Sequence, residues 1–170
     1  MRPIRNHLIV ALAVIAAGSA GAAAQQPAAP AAPPVVPYGA PITLEVAKKA
    51  MTAAEAEAVK NGWPMAIVIL DSTGHPVMLH KLDNTQYGSL AAAEDKARSA
   101  VNFRRPSKVF EDLVAQGGIG LRTLALRGAY PIEGGIPIIV DGKIAGAIGV
   151  SGGTAPQDGQ VAKVGADALK

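Results

Sequence analysis

Residues 134–150 read GGIPIIVDGKIAGAIGV, and this stretch decides the fold. Gly134 to Val140 and Lys143 to Val150 are two runs rich in β-branched residues, joined by Asp141-Gly142. Asp-Gly between such runs is a strong two-residue hairpin signal, because both central residues of the favoured turn need positive φ. On the second strand, strict alternation puts Ile144, Gly146, Ile148 and Val150 on one face. Ala145, Ala147 and Gly149 make the other face nearly bare. A bare face lets a helix, a ligand or another subunit approach closely. A packed helix is the expected cover, since sheets in α/β folds are usually covered.

Outward from the hairpin, the same reading supplies the other elements. Ser151-Gly152-Gly153 leads into a final helix to Leu169, with Thr154 or Ala155 as its cap and Pro156 in its first turn. Upstream, Ile67, Val68 and Ile69 lie in a short buried strand from Pro64 to Leu70. A turn at Asp71 to Gly74 follows, and a return strand runs from Val77 to Leu82. Thr43 caps a first helix whose stripe is Leu44, Ala47, Met51, Ala54 and Ala58, ended by Asn61-Gly62. Ser89 caps a second helix with the stripe Leu90, Ala93, Ala97 and Val101. Pro106 stops that helix, and Ser107 caps a third through Ala115. Residues 121–132 are ambiguous. The order α-β-β-α-α-β-β-α, built on adjacent hairpins, predicts an antiparallel sheet flanked by helices, an α+β arrangement. It is not a doubly wound nucleotide fold, and no GxGxxG or P-loop sequence is present.

The beginning of the chain has another character. Arg2 and Arg5 precede an apolar run from Leu8 to Ala17, followed by small residues to Ala24. That is the pattern of a secretory signal peptide cleaved near Ala24, so the expected location is periplasmic or secreted. The run is too short to span a bilayer comfortably, which takes about 20 residues. Residues 25–41 are rich in Ala and Pro and are expected to form a solvated linker without a fold of its own. The folded domain is expected over residues 42–170. The chain carries 16 Lys and Arg against 13 Asp and Glu. Two of these cations and no acid lie in the leader, so the mature net charge falls from +3 to about +1. No clustered basic stripe supports nucleic-acid binding. The absence of cysteine excludes disulfides, thiolate metal sites and cysteine catalysis.

Few residues can carry chemistry. Beyond the leader the histidines are His75, beside Pro76 in a turn, and His80, in a strand. Either could ligate a metal or haem iron, since imidazole is a favoured donor; either could equally bind nothing. Their separation is not a standard zinc spacing. Arg104 and Arg105 sit where a helix breaks. They could clamp carboxylates or haem propionates bidentately, or simply complement the helix dipole. The turn Ser151, Gly152, Gly153 and Thr154 runs into a helix start and could present backbone N–H groups to an anion. The candidate acids are Glu94, Asp95, Glu133 and Asp158. No carboxylate pair, GxSxG or Ser/His/Asp pattern identifies a hydrolase.

The segments ITLEVAKKAMTAAEAEAVKNGWPMAIVILDSTGHPV, KARSAVNFRRPS and EGGIPIIVDGKIAGAIGVSGG, in that order, resemble the GlcG/HbpS-like proteins. That family is described as haem-binding or haem-degrading and includes the C-terminal domain of PduO. The resemblance implies a profilin-like three-layer arrangement and a homo-oligomer, an octamer among its forms. It also implies haem or iron binding in some members. It draws attention to Lys96, Arg98, Ser99, Phe103, Arg104, Arg105 and Pro106, and to Gly134, Gly135, Gly149, Ser151 and Gly152. Ser99 stands where many relatives have Thr, and Gly159 where many have Glu.

Three functions follow as expectations. The first is an exported, oligomeric haem-, corrinoid- or iron-binding protein. In it His75 or His80 is the metal ligand, and Lys96, Arg98, Arg104 and Arg105 line the cofactor site. The second is an enzyme or sensor for a small organic acid linked to glycolate-type metabolism, using the Ser151–Thr154 turn. The third is an oligomeric scaffold without a ligand. The first two require one pocket between the Arg-Arg break and the glycine turn.

Overall fold

The computed structural model describes residues 35–170. The expected leader and the first part of the Ala/Pro-rich stretch lie outside the described residues. In chain order the elements are α1 (Leu44–Lys60), β1 (Ala66–Asp71), β2 (Pro76–Lys81), α2 (Gly88–Phe103), α3 (Lys108–Ala115), a 3₁₀ segment (Gly118–Ala125), β3 (Gly135–Val140), β4 (Lys143–Ser151) and α4 (Ala155–Asp167). The ambiguous residues 121–132 contain the end of the 3₁₀ segment and a loop.

The four strands form one antiparallel sheet in the order β2-β1-β4-β3. Helices cover both faces, giving three layers. Ile67, Ile69, Ile148 and Val150 point to α1 and α4, where they meet Ala47, Met51, Ala54, Val161 and Ala162. Ala66, Val68, Leu70 and Ala147 point the other way, to Ala93, Ala97, Ala100 and Val101 of α2. The alanine stripe of α2 and the bare face of β4 therefore meet as expected. At Gly149 a Cβ would collide with the Ala93 carbonyl oxygen and stand 2.6 Å from the Ala97 nitrogen. Helix and sheet backbones touch there only because residue 149 has no side chain.

Four local expectations need correction. Ala145 is an extra residue on β4: Ile138 pairs with Gly146, but Ile139 pairs with Ile144. This bulge reverses the alternation, so Ile144 joins the α2 side and Ala145 the α1–α4 side. Ser89 is not a cap. It lies inside α2, fully buried, with no partner for its hydroxyl, and Tyr87 holds the cap position. Ser107 holds the cap position of α3 as expected, but its side chain makes no cap bond. Its hydroxyl donates to the Ile132 carbonyl at 2.7 Å and accepts from the Gly135 N–H at 2.9 Å.

The fourth correction concerns residues 37–41, which dock on the domain through backbone hydrogen bonds instead of forming a tether without a fold of its own. After Asp71, which pairs with Gly146, β1 leaves the sheet. The N-terminal strap takes its place beside the start of β4. Ile144 donates to the Pro37 carbonyl at 2.9 Å, Gly39 donates to the Ile144 carbonyl at 2.8 Å, and Ile42 donates to the Ala145 carbonyl at 2.8 Å. Tyr38 and Ile144 form a parallel bridge. The Tyr38 hydroxyl reaches the Val101 carbonyl at 2.7 Å, satisfying an acceptor at the end of α2.

Candidate functional site

The glycine turn between β4 and α4 is already occupied by a carboxylate of the chain itself. Asp158, in the first turn of α4, accepts from the Gly153 N–H at 3.0 Å. Its other oxygen lies 2.6 Å from the Lys96 ammonium, which also donates to the Val150 carbonyl at 3.1 Å. The Thr154 N–H is used by the Gln157 side chain at 2.9 Å. The expectation that Ser151, Gly152, Gly153 and Thr154 bind an external anion is therefore corrected. Lys96, expected to line a cofactor site, instead lies inside the protein and is spent on Asp158. The side chains of both are at most 3 % exposed.

Two glycines make room for this pair. Gly134 has φ 128, and a Cβ there would meet the Val150 carbonyl oxygen at 2.6 Å and Lys96 Cδ at 3.0 Å. At Gly135 a Cβ would collide with the Lys96 carbonyl. The Glu133-Gly134-Gly135 sequence thus lets β3 begin directly against α2. Burial pushes the Asp158 carboxyl up from its ordinary value, against the pull of Lys96. Glu133 is half-buried, and its carboxyl stands where a side chain on residue 159 would be. Burial raises its pKa as well, while Lys108 opposes and Glu111 and Asp112 reinforce the shift.

The Arg-Arg break lies elsewhere. Arg104 ends α2 in the left-handed conformation, φ 54, with its guanidinium 5.3 Å from the centre of the Tyr38 ring. Arg105 lies 5.8 Å over Phe110 and donates from Nε to the Phe103 carbonyl at 3.1 Å. Tyr38 is at the Ile144 end of β4, whereas the glycine turn starts at Ser151. The length of strand between them is about 23 Å. Arg104 and the glycine turn therefore do not border one pocket among the described residues. Arg98 is held by Glu94 and by the Gly74 carbonyl at 2.9 Å. Beside it Asp95 and Tyr130 border a small cavity of about 180 Å³. The Ser99 hydroxyl accepts from the Tyr130 N–H at 3.0 Å, which anchors the loop after the 3₁₀ segment.

The two histidines do not converge. His75 is held in its turn by the Thr73 hydroxyl, 2.8 Å from Nδ1. His80 lies at the other end of β2, about 16 Å away along the strand. A shared metal centre is excluded by that separation. Among the described residues no group of three or more His, Cys, Asp or Glu side chains is placed to hold a metal ion.

His80 nevertheless has the arrangement of a poised ligand. It pairs across the sheet with Ile67 and so faces α1, where Glu55 Oε2 lies 3.1 Å from its Nδ1. A carboxylate only accepts, so the ring proton facing it sits on Nδ1, and Nε2 is the ring nitrogen that could serve as a metal ligand. The side chains of His80 and Glu55 are 41 % and 39 % exposed. One helical turn after Glu55 comes Val59, and two residues after His80 comes Leu82. With Trp63, Pro64, Asp83 and Asn84 these border an open depression of about 360 Å³, apolar at Val59, Trp63, Pro64 and Leu82 and polar at Asp83 and Asn84; His80 itself does not line it. Sequence reasoning missed Glu55, because 25 residues separate it from His80 and only the packing of α1 on β2 joins them.

Comparison with known proteins agrees with this architecture. The family described as "Haem degrading protein HbpS-like" matches residues 42–167. Protein GlcG of Escherichia coli K12 is 38 % identical over 110 residues, which is 65 % of this chain and 81 % of GlcG. The crystal structure of a double mutant of Streptomyces reticuli HbpS superposes with a TM-score of 0.70 at 30 % identity, covering 83 % of this chain and 99 % of that one. A structure described as a PduOC–haem complex shares the fold, with a TM-score of 0.68 at 23 % identity over 76 % of this chain and 96 % of that one.

Proposed function

The chain belongs to the HbpS-like family, and from that premise we propose that it is an exported, self-associating haem-binding protein in which His80 ligates the iron. The observation that carries this reading is the His80–Glu55 pair. A carboxylate on one ring nitrogen fixes the tautomer and orientation of an imidazole and raises the basicity of the other nitrogen. Haem-ligating histidines need that preparation. Here it occurs near an open depression with apolar side chains from Val59, Trp63, Pro64 and Leu82, which suits the edge of a flat macrocycle. Bound haem supplies an iron centre; the protein supplies the ligand, its orientation and the apolar wall. The family description and the haem-bound neighbour of the same fold support the choice of ligand.

Arg104 and Arg105 take no part in this site. They follow α2, which packs on the opposite face of the sheet from His80. The small-acid reading loses its proposed anion site to Asp158.

Haem titration tests the proposal. A Soret band is expected to grow to saturation with wild-type protein and His75→Ala, and to shift or vanish with His80→Ala. An unchanged spectrum in His80→Ala overturns the assignment. Export rests on the Arg2-to-Ala24 pattern, and is tested by the N-terminal mass of protein recovered from the periplasm or medium. Self-association is supported by Ile119, Leu121, Leu124 and Leu126, all at least 44 % exposed on and just after the 3₁₀ segment. Light scattering at the monomer mass would refute it.

A further inference from the structure

The strap that completes the sheet also walls a cavity. Gly39, Ala40, Pro41 and Ile42 form one side of it, and Val46 of α1 and the β3–β4 hairpin form the other. The cavity has a volume of about 340 Å³, within the range of small-molecule sites. Pro41, Ile42, Val46, Val140 and Ala145 make its lining mostly apolar. Two charged residues also line it, Asp141 and Lys143, on either side of the hairpin glycine. Among the described residues neither is in an ion pair. The hairpin backbone fixes their roots: Asp141 has φ 50 and Gly142 φ 72, and Val140 pairs with Lys143.

We infer that this cavity is a binding site for a small zwitterion with an apolar body, an α-amino acid with an aliphatic or aromatic side chain. The apolar part enters between strap and hairpin, its carboxylate meets the Lys143 ammonium, and its ammonium meets the Asp141 carboxylate. Opposite charges rooted on either side of one tight turn, both lining a mostly apolar cavity, complement a molecule that carries both charges at one end. A simple fatty acid or amine leaves one of them without a counter-charge. The strap supplies four of the lining residues, so occupation of the cavity and docking of the strap are linked.

Thermal shift with free L-leucine and L-phenylalanine tests the assignment, using 4-methylpentanoate and 3-methylbutylamine as probes lacking one charge. A saturable rise in Tm of about 3 °C or more is expected with the amino acids, and a smaller one with either probe. Asp141→Asn, which keeps a residue tolerant of positive φ, should abolish the preference for leucine over 4-methylpentanoate. Lys143→Met should abolish the preference over 3-methylbutylamine. Both positions are exposed, so these variants fold. His80→Ala should leave the response intact, which separates this site from the haem proposal. No shift with any amino acid up to 10-millimolar order, or equal shifts in wild type and both variants, overturns the inference.

Discussion

The Lys96 ammonium and the Asp158 carboxylate lie 2.6 Å apart with both side chains withdrawn from water, one on α2 and the other on α4. The pair ties the two helical layers together past the end of the sheet. It also closes the glycine turn from within, because the Asp158 carboxylate accepts the Gly153 N–H. Removing one partner leaves the other charge buried and uncompensated, which costs about 3–5 kcal/mol. Lys96→Met and Asp158→Leu should each lower stability by that order in urea unfolding. The double variant should recover much of the loss, because no buried charge then remains. Additive losses in the double variant would show that the two groups do not act as a pair.

Glu133 should give stability a pH dependence of definite sign. Burial raises its carboxyl above the ordinary 4.5, so the folded state holds the proton more tightly than the unfolded one. The contribution is fully present below the unfolded value and is lost as pH rises through the raised folded value. Glu133→Gln removes the titration. Its stability relative to wild type should therefore increase as pH rises from about 4 through the raised pKa. A relative stability that falls over this window would contradict the assigned direction.

The architecture was legible because its signals are local. Asp141-Gly142 between β-branched runs, Asn61-Gly62 after a helical stripe, and Thr43 before it each act within a few residues. The Ala145 bulge was not legible, since alternation offers no sign of an extra residue in a strand that stays regular on both sides. Site residues were recognised more readily than their roles. Asp158 stood out as an acid and the glycine turn as an anion site, and five residues of separation from Gly153 left room to see that one fills the other. Lys96 lies off the alanine stripe of α2 and meets Asp158 only through the fold. The same holds for His80 and Glu55. Arg104 and Arg105 carried a strong local signal for an anion clamp, but they lie against different aromatic rings, Tyr38 and Phe110, which their adjacency in sequence did not show.

The strap should count measurably in stability. Compared with a chain that starts at Val35, the bonds lost by one that starts at Thr43 include three backbone hydrogen bonds to Ile144 and Ala145 and the Tyr38 hydroxyl bond to Val101, four in all, besides the Ser72 hydroxyl bond to the Gly39 carbonyl. At about 0.5–1.5 kcal/mol for each bond, the expected loss is roughly 2–6 kcal/mol. Tyr38→Phe removes only the hydroxyl and should cost about 1 kcal/mol. Hydrogen exchange at the Ile144 amide should accelerate in the truncated chain and stay protected in Tyr38→Phe. Equal stability of the two chain lengths would show that the strap is not docked in solution.

Gly149 and Gly159 provide a paired test of why each lacks a side chain. At Gly149 the obstacle is backbone: a Cβ strikes the Ala93 carbonyl and the Ala97 nitrogen, and neither can move without separating α2 from the sheet. Gly149→Ala should therefore destabilise by about 1–3 kcal/mol or more, the cost of overpacking a core. At Gly159 the obstacle is the end of the Glu133 side chain, on a half-buried residue that can rotate towards solvent. There the helix gains from losing glycine, about 1 kcal/mol in a helix interior, and the collision is relieved by one rotamer change. Gly159→Ala should lie near neutrality in wild type and become stabilising in a Glu133→Ala background, where nothing is displaced. If Gly159→Ala costs as much in the Glu133→Ala background as in wild type, then the Glu133 carboxyl does not fill the space beside residue 159.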